Sequence, residues 1–328
     1  AACSNAHGST ACASGSCAPT CSSGWGSCDG NQSNGCETAL STIANCGTCG
    51  KVCPNAMANA TPVCNAGICG YSCTNLAGVY ALRLSMAVNW PATQFVASGS
   101  GTAERWLRIT LGQSGTTVSG SVAICGATVP EFRNAVVSDR YLFRYPAAMF
   151  DAAIPSVPFS ATLGSTDPGA SLSSARSAIL MGINMSDSLN GSWPSVTQAS
   201  ASQVDHDSDG EIGITVTYVN DGTYSYVQTS GTLLAPRASE SYTAERLRFS
   251  LNGALTGCAG ASGAANVQSL EIRALACRLS SGSDCDASQN GHLEDNRPVY
   301  NVSSATYTMT RVANTGATVS CAQVRAAL

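Results

Sequence analysis

The sequence predicts a mostly β protein in two parts: a small disulfide-rich N-terminal module over residues 1–74, then an antiparallel β-barrel or β-sandwich body over residues 75–328. Three observations predict this. Twelve of the seventeen cysteines fall within the first 73 residues. From Asn75 onward apolar residues recur with a period of two, the spacing of half-buried strands. Gly-, Asn- and Asp-rich steps interrupt these runs at short intervals, as turns do between short strands.

The module repeats. Cys3, Cys12, Cys17 and Cys21 are matched by Cys53, Cys64, Cys69 and Cys73, with the same last two gaps in both copies. Between the copies lie Cys28, Cys36, Cys46 and Cys49, spaced by Gly, Asn, Asp, Ser and Pro. So short and apolar-poor a segment needs cross-links to hold it. All twelve of these cysteines, with Cys258, Cys277, Cys285 and Cys321 in the body, are expected in disulfides. The total is odd, and Cys125, the most isolated in sequence, is the expected leftover thiol. Two other readings of Cys46-x2-Cys49-x3-Cys53 are half a zinc site and a redox CxxC. The first lacks a second knuckle or nearby histidines beyond His7, and the second lacks a βαβ setting.

The string CSSGWGSCDGNQSNGCETALSTIANCGTCGKVCPNAMANATPVCNAGIC, residues 21–69, resembles the cysteine-rich repeat of secreted and surface-displayed proteins of myxobacteria and related bacteria. Its CDGN…NGCE element spans Cys28–Glu37, its NCGxCGxxC element Asn45–Cys53, and its last element Val63–Cys69. The resemblance covers residues 1–73. It implies an extracellular spacer or display module, and no catalytic residue. The chain opens and closes partway through a unit of that repeat.

Composition excludes several partners. Charged residues make up 11% of the chain and the net charge is −4, which argues against nucleic acid and anionic membranes. No run of eighteen apolar residues is present, so no transmembrane helix is expected. The chain begins Ala1-Ala2-Cys3 with no signal peptide, and reads as a mature or trimmed form. Dense cysteine points to an extracellular or cell-surface location.

In the body, Leu82, Leu84, Met86, Val88 and Trp90 share one face of the first strand. Leu107-Ile109-Leu111, Val118-Val122-Ile124, Tyr141-Phe143-Tyr145, Ile212-Ile214-Val216-Tyr218, Leu247-Phe249-Leu251, Leu270-Ile272 and Tyr307-Met309 alternate likewise. Asn220-Asp221-Gly222, Asn252-Gly253 and Thr166-Asp167-Pro168-Gly169 read as turns. Leu172–Met181 reads as a short helix or another strand. Thr102-Ala-Glu-Arg-Trp-Leu-Arg-Ile-Thr-Leu111 echoes Thr243-Ala-Glu-Arg-Leu-Arg-Phe-Ser-Leu251 with one extra residue, which duplication or low complexity explains equally. The Glu104/Arg105/Arg108 and Glu245/Arg246/Arg248 sets read as surface cross-strand ion pairs, each contributing about 0–1 kcal/mol.

The one constellation that carries ion chemistry is Asp205-His-Asp-Ser-Asp-Gly-Glu-Ile-Gly213. Asp205, Asp207 and Asp209 stand at alternate positions before Gly210, as in loops that wrap a hard cation, and Glu211 offers a carbonyl at position 7. The terminal glutamate of an EF-hand is missing, since Val216 stands there, so a structural calcium between two β-elements is expected. His206 reads as an exposed loop residue. No nucleophile elbow, zinc-protease helix, phosphate loop or dinucleotide fingerprint occurs, and no catalytic residue is expected. His292-Leu-Glu-Asp-Asn296 reads as loop. Trp90, Trp106, Trp193, Tyr218, Tyr224 and Tyr226 are candidates for a binding platform, although aromatics are more often core.

The sequence therefore leads to an extracellular structural protein, a surface, matrix or appendage subunit that self-assembles or joins other surface proteins through exposed strand edges. A binding module for glycan or a small apolar ligand is the alternative, and a secreted hydrolase the third.

Overall fold

The two copies of the cysteine repeat fold as the same hairpin. In the first, β1 (Gly8–Ala13) pairs antiparallel with β2 (Ser16–Cys21), placing Cys12 opposite Cys17. In the second, β3 (Ala60–Asn65) pairs with β4 (Ile68–Cys73), placing Cys64 opposite Cys69. Both turn through two residues of positive φ, Ser14 and Gly15 at 52° and 80°, Ala66 and Gly67 at 49° and 80°. That is the primed turn whose twist matches the flanking strands. This computed structural model describes residues 3–55, 60–151, 154–193, 202–232 and 234–328.

The chain divides into two compact units. The first comprises Ala1–Leu76 with Thr166–Gly169 and Gly257–Ala259, so it is not one run of sequence. Its bridges are Cys3–Cys17, Cys21–Cys36, Cys28–Cys49, Cys46–Cys64, Cys53–Cys69 and Cys73–Cys258. Cys46, Cys49 and Cys53 each bond to a different partner, which leaves neither a zinc knuckle nor a CxxC pair. Each bridge contributes about 2–4 kcal/mol, the scale needed where few apolar side chains are buried. The NGCE element has a clear local task. The Glu37 carboxylate accepts from the backbone N–H of Cys28 at 2.7 Å and of Asp29 at 3.3 Å, closing the Asp29–Asn34 loop. These hydrogen bonds, that from Cys28 first, hold the Glu37 carboxyl below its ordinary value.

The second unit is a closed antiparallel β-barrel. Its strands are β5 (Gly78–Trp90), β6 (Gly99–Ser114), β7 (Thr117–Thr128), β8 (Val157–Leu163), β9 (Ser171–Ser174), β10 (Ser177–Met181), β11 (Ile214–Tyr218), β12 (Arg237–Gly257), β13 (Gly260–Leu279) and β14 (Asn301–Ala313). Each ring strand neighbours the next in sequence, from β5 through β8 to β9, then β12, β13 and β14, and β14 returns to pair with β5. The long β12 carries β11, β10 and β9 in turn along one edge. This is an up-and-down meander of eight ring positions, β9 and β10 together filling one. A ring of that size has an interior that side chains fill or that holds one small ligand.

Alternation along the strands fills that interior. Leu82, Leu84, Met86 and Val88 of β5 and Leu107, Ile109 and Leu111 of β6 are buried, with Leu247, Phe249 and Leu251 of β12. Each large apolar side chain buried in this way contributes about 1.5–3 kcal/mol.

The structure corrects several expectations. Leu172–Met181 is strand, split between β9 and β10. Asn252-Gly253 lies inside β12, and the chain reverses at Cys258-Ala259 instead. A Cβ on Gly253 would clash with the Ser262 carbonyl of β13, so this glycine serves close strand approach, not a turn. His292–Asp295 is helical, the end of α1 (Ala287–Asp295), which opens on a reciprocal capping box between Asp286 and Gln289. Cys125 is no free thiol: it bonds to Cys321 at the start of α2 (Cys321–Ala326). The last body bridge is Cys277–Cys285. Ring closure pairs both sides of each ring strand over part of its length, while the two hairpins of the first unit remain two-stranded sheets with outer edges.

Candidate ligand pocket and acidic loop

A cavity of about 50 Å³ lies in the barrel unit, lined from β11, β12, β13, α1 and the connections between strands. On the same measure one water needs about 10–15 Å³ and a cavity that encloses benzene has about 150 Å³, so the inner space takes a few waters or one end of a small ligand. Phe95, Phe132, Phe143, Tyr218 and Ile272 give it an apolar lining. Phe95 packs against His292 of α1 with ring centres 4.7 Å apart, and Phe143 meets Tyr218 edge-on at 6.1 Å.

Two amide side chains at this space, Asn134 and Gln228, are oriented by hydrogen bonds. Asn134 Oδ1 accepts from the backbone N–H of Val136 and Val137, which fixes its amide. Asn134 Nδ2 then donates to the Tyr141 hydroxyl at 3.0 Å and to Gln228 Oε1 at 3.2 Å. That orients Gln228, which is 6% exposed, and leaves its Nε2 buried without an acceptor. The hydroxyl of Tyr300, 7% exposed, is likewise buried without a partner. Buried polar atoms are nearly always satisfied, and leaving one unpaired costs about 1–3 kcal/mol. Two unpaired donors at one aromatic cavity mark the places a ligand's acceptor would fill.

The electrostatics favour a neutral guest. Burial pushes Tyr300 far above the ordinary phenol range and Tyr218 up to about 12, so both stay protonated donors. Burial lowers His292, which is therefore neutral at pH 7. Arg297 is spent on Glu294, at 2.8 Å. A second, more polar cleft of about 390 Å³ opens along Val267–Arg273 and Arg297–Val302 and shares Ile272, Arg297, Pro298 and Tyr300 with the inner cavity. It lies where β13 and β14 part: they pair only from Gly260–Ala264 against Thr306–Thr310. Tyr300 therefore stands between inner cavity and outer cleft.

The aromatic candidates separate. Tyr218 lines the cavity, and Trp90 supports it by packing edge-on against Tyr300 at 5.5 Å. Trp193 lies under Arg246 and Arg273, and Trp106 under Arg83. The Tyr224 hydroxyl donates to Glu131. Tyr226 offers its carbonyl to Arg237. Gln228, Asn134 and Tyr300 give no signal in the sequence, because isolated amides and a lone tyrosine carry no spacing.

The acidic loop brings three of its four expected residues together. Carboxylate oxygens of Asp205, Asp207 and Asp209 lie within 4.8 Å of one another. Asp205 also ties the loop by accepting from the N–H groups of Ser208 and Gly210, at 2.6 and 2.9 Å. Asp207 Oδ2 accepts from Thr215 N–H at 2.7 Å, while its Oδ1 is buried and unpartnered. The Glu211 carboxylate turns away to Arg278 at 2.5 Å, leaving only its carbonyl for an ion. His206 is 5% exposed, not an exposed loop residue. Its Nδ1 accepts from Gly182 N–H at 2.9 Å, which anchors the loop beside the end of β10.

No family model matches the chain, and no curated protein matches it. Among solved structures, DynF from the dynemicin biosynthesis pathway of Micromonospora chersina is similar over 79% of this chain and 88% of that chain, with 10% identity and a TM-score of 0.22.

Proposed function

We propose that this is an extracellular binding protein whose barrel takes one small, neutral, mainly apolar ligand carrying a hydrogen-bond acceptor. The observation that carries this is the buried, unpartnered Nε2 of Gln228 at an aromatic-lined cavity. Barrel closure supports it, because a closed ring of this size offers an interior that can hold one small ligand. The stapled module then serves as a spacer or display element, the role its resemblance implies, and its bridges suit an oxidising environment. Among the described residues no helix is long and apolar enough to cross a membrane.

Thermal unfolding with single-ring neutral ketones and amides, each against its matched hydrocarbon, tests this. Acetophenone is expected to raise the midpoint more than ethylbenzene, and at a hundredfold excess over Kd to stabilise by about 2.7 kcal/mol. Gln228→Leu is expected to erase the difference. Equal effects of ketone and hydrocarbon, or an unchanged difference in Gln228→Leu, would sink the reading.

Calcium is proposed for the acidic loop. Three converging carboxylates repel one another without a cation, and the spare Asp207 Oδ1 is a donor of the hard-oxygen type calcium takes. Its role would be structural, fixing the loop ahead of β11.

A further inference from the structure

The repeat predicts a partner for each of its cysteines, and one of them has none. The two hairpins superimpose residue for residue in register: Cys12 faces Cys17 as Cys64 faces Cys69, and Gly8 faces Cys21 as Ala60 faces Cys73. The third cysteine of each copy bonds to the first, Cys17 to Cys3 and Cys69 to Cys53, with Cα separations of 5.8 and 5.3 Å. The second cysteine of the second copy, Cys64, bonds to Cys46, which lies seven residues before Cys53. The position seven residues before Cys3 falls ahead of residue 1.

Cys3 does not substitute for that partner. Its sulfur has both Cys17 and Cys12 within reach, so no cysteine is remote from another, but a sulfur forms one disulfide. The Cα separation from Cys12 is 7.1 Å, beyond the usual span of a disulfide. Cys12 is therefore the odd thiol.

The surface beside Cys12 is open where its counterpart is covered. Gly47 of the Asn45-Cys46-Gly47 loop packs so closely on the Gly67 turn that a Cβ on it would clash with the Gly67 carbonyl. The matching turn residue Gly15 has nothing within 4 Å of such a Cβ. Val63 and Cys64 are half-buried, whereas Ala11 and Cys12 are exposed.

We propose that Cys12 and the Ser14-Gly15 turn form a docking site for a Cys-Gly loop of the Asn45-Cys46-Gly47 kind, carried by a further repeat unit ahead of Cys3 on the same polypeptide. The loop's cysteine forms a disulfide with Cys12. Two thiols lose two protons and two electrons, and a disulfide such as oxidised glutathione accepts them to become two thiols. Within the first unit the Asn45–Gly47 loop already staples the second hairpin in this way, through Cys46–Cys64 and the Gly47–Gly67 contact.

Two proteins test this. In residues 1–328, unreduced and denatured with N-ethylmaleimide present, peptide mapping is expected to find one label per chain, on Cys12. In a second protein a copy of residues 21–52 stands directly ahead of Cys3 and is folded in a glutathione redox buffer. Its label is expected to vanish, and mapping to join the copied Cys46 to Cys12. A label on Cys3 or Cys17 in the first protein, or a labelled Cys12 in the folded second protein, overturns the proposal. A third measurement covers misfolding of the extended chain. A synthetic Ile43–Lys51 peptide with Cys49→Ser, activated at Cys46 as a mixed disulfide, should capture Cys12 of the native protein about tenfold faster than its Gly47→Val form. Equal rates overturn the docking surface.

Discussion

Arg105 Nη2 donates to Glu245 Oε2 at 3.0 Å inside the barrel, with the side chains 0% and 2% exposed. The Tyr145 hydroxyl donates to the other carboxylate oxygen, and Arg105 Nη1 reaches the Glu104 and Thr128 carbonyls, each at 2.9 Å. The pair joins the two look-alike segments. Trp106 is the extra residue in the first, so from Leu107 and Leu247 onward both strands bury the same positions. Ahead of it the parity reverses, and Thr-Ala-Glu-Arg presents arginine inward from β6 but glutamate inward from β12. The outward members find surface-side partners instead, Glu104 with Arg83 and Arg246 with Glu271.

Burial makes this pair sensitive to loss of one member. Glu245→Ala or Arg105→Ala leaves an uncompensated buried charge and is expected to cost about 3–5 kcal/mol in urea unfolding. The double variant Arg105→Met/Glu245→Leu should lose less than either single change, because the desolvated charges leave together. Additive losses in the double-mutant cycle would show that the two side chains do not act as a pair.

How much of this was legible follows from the range of each contact. Alternation in Leu82–Trp90 is local, and it marked strands correctly. Closure of β14 on β5 pairs residues more than 200 positions apart, which no window of sequence reports. The aspartate loop is contiguous and could be read. The cavity draws Asn134, Gln228 and Tyr300 from three separate segments, and their types alone say nothing. Arg105 and Glu245 read as surface charges in the sequence because an inward charge looks like an outward one until its partner across the ring is known.

Gly253 separates turn from close packing. As a turn residue it would accept asparagine. Set against the Ser262 carbonyl and Gly263, it has no room for a side chain. Gly253→Val is expected to destabilise the protein by about 1–3 kcal/mol through overpacking, and Gly253→Asn to be no milder. Urea midpoints at constant m-value provide the check. A neutral Gly253→Asn would restore the turn reading.

The loop of Asp205, Asp207 and Asp209 predicts stabilisation by calcium. Extracellular modules bind calcium with Kd of about 0.1–1 mM, so several millimolar CaCl2 should raise the melting temperature, and excess chelator should reverse it. Magnesium should do so far less, since it demands a tighter octahedral shell. Asp207→Asn keeps the shape but removes a charge, and should abolish most of the shift. An identical calcium response in Asp207→Asn would remove the site.

His292 links stability to pH. Burial against Phe95 lowers its proton affinity, and the nearby Asp295 only partly opposes this. A histidine depressed in the folded state contributes stability that is present above its unfolded value, about 6.5, and is lost as pH falls through the folded one. The unfolding midpoint is therefore expected to drop as pH is lowered from 7.5 to below 6, and to drop less steeply in His292→Gln. Because His292 also lines the cavity, a ligand held there should resist the same change: protonating the imidazole places a charge beside an apolar guest. Acetophenone stabilisation should weaken on acidification in the wild type and change little with pH in His292→Gln. A parallel pH dependence in the two proteins would separate His292 from the binding site.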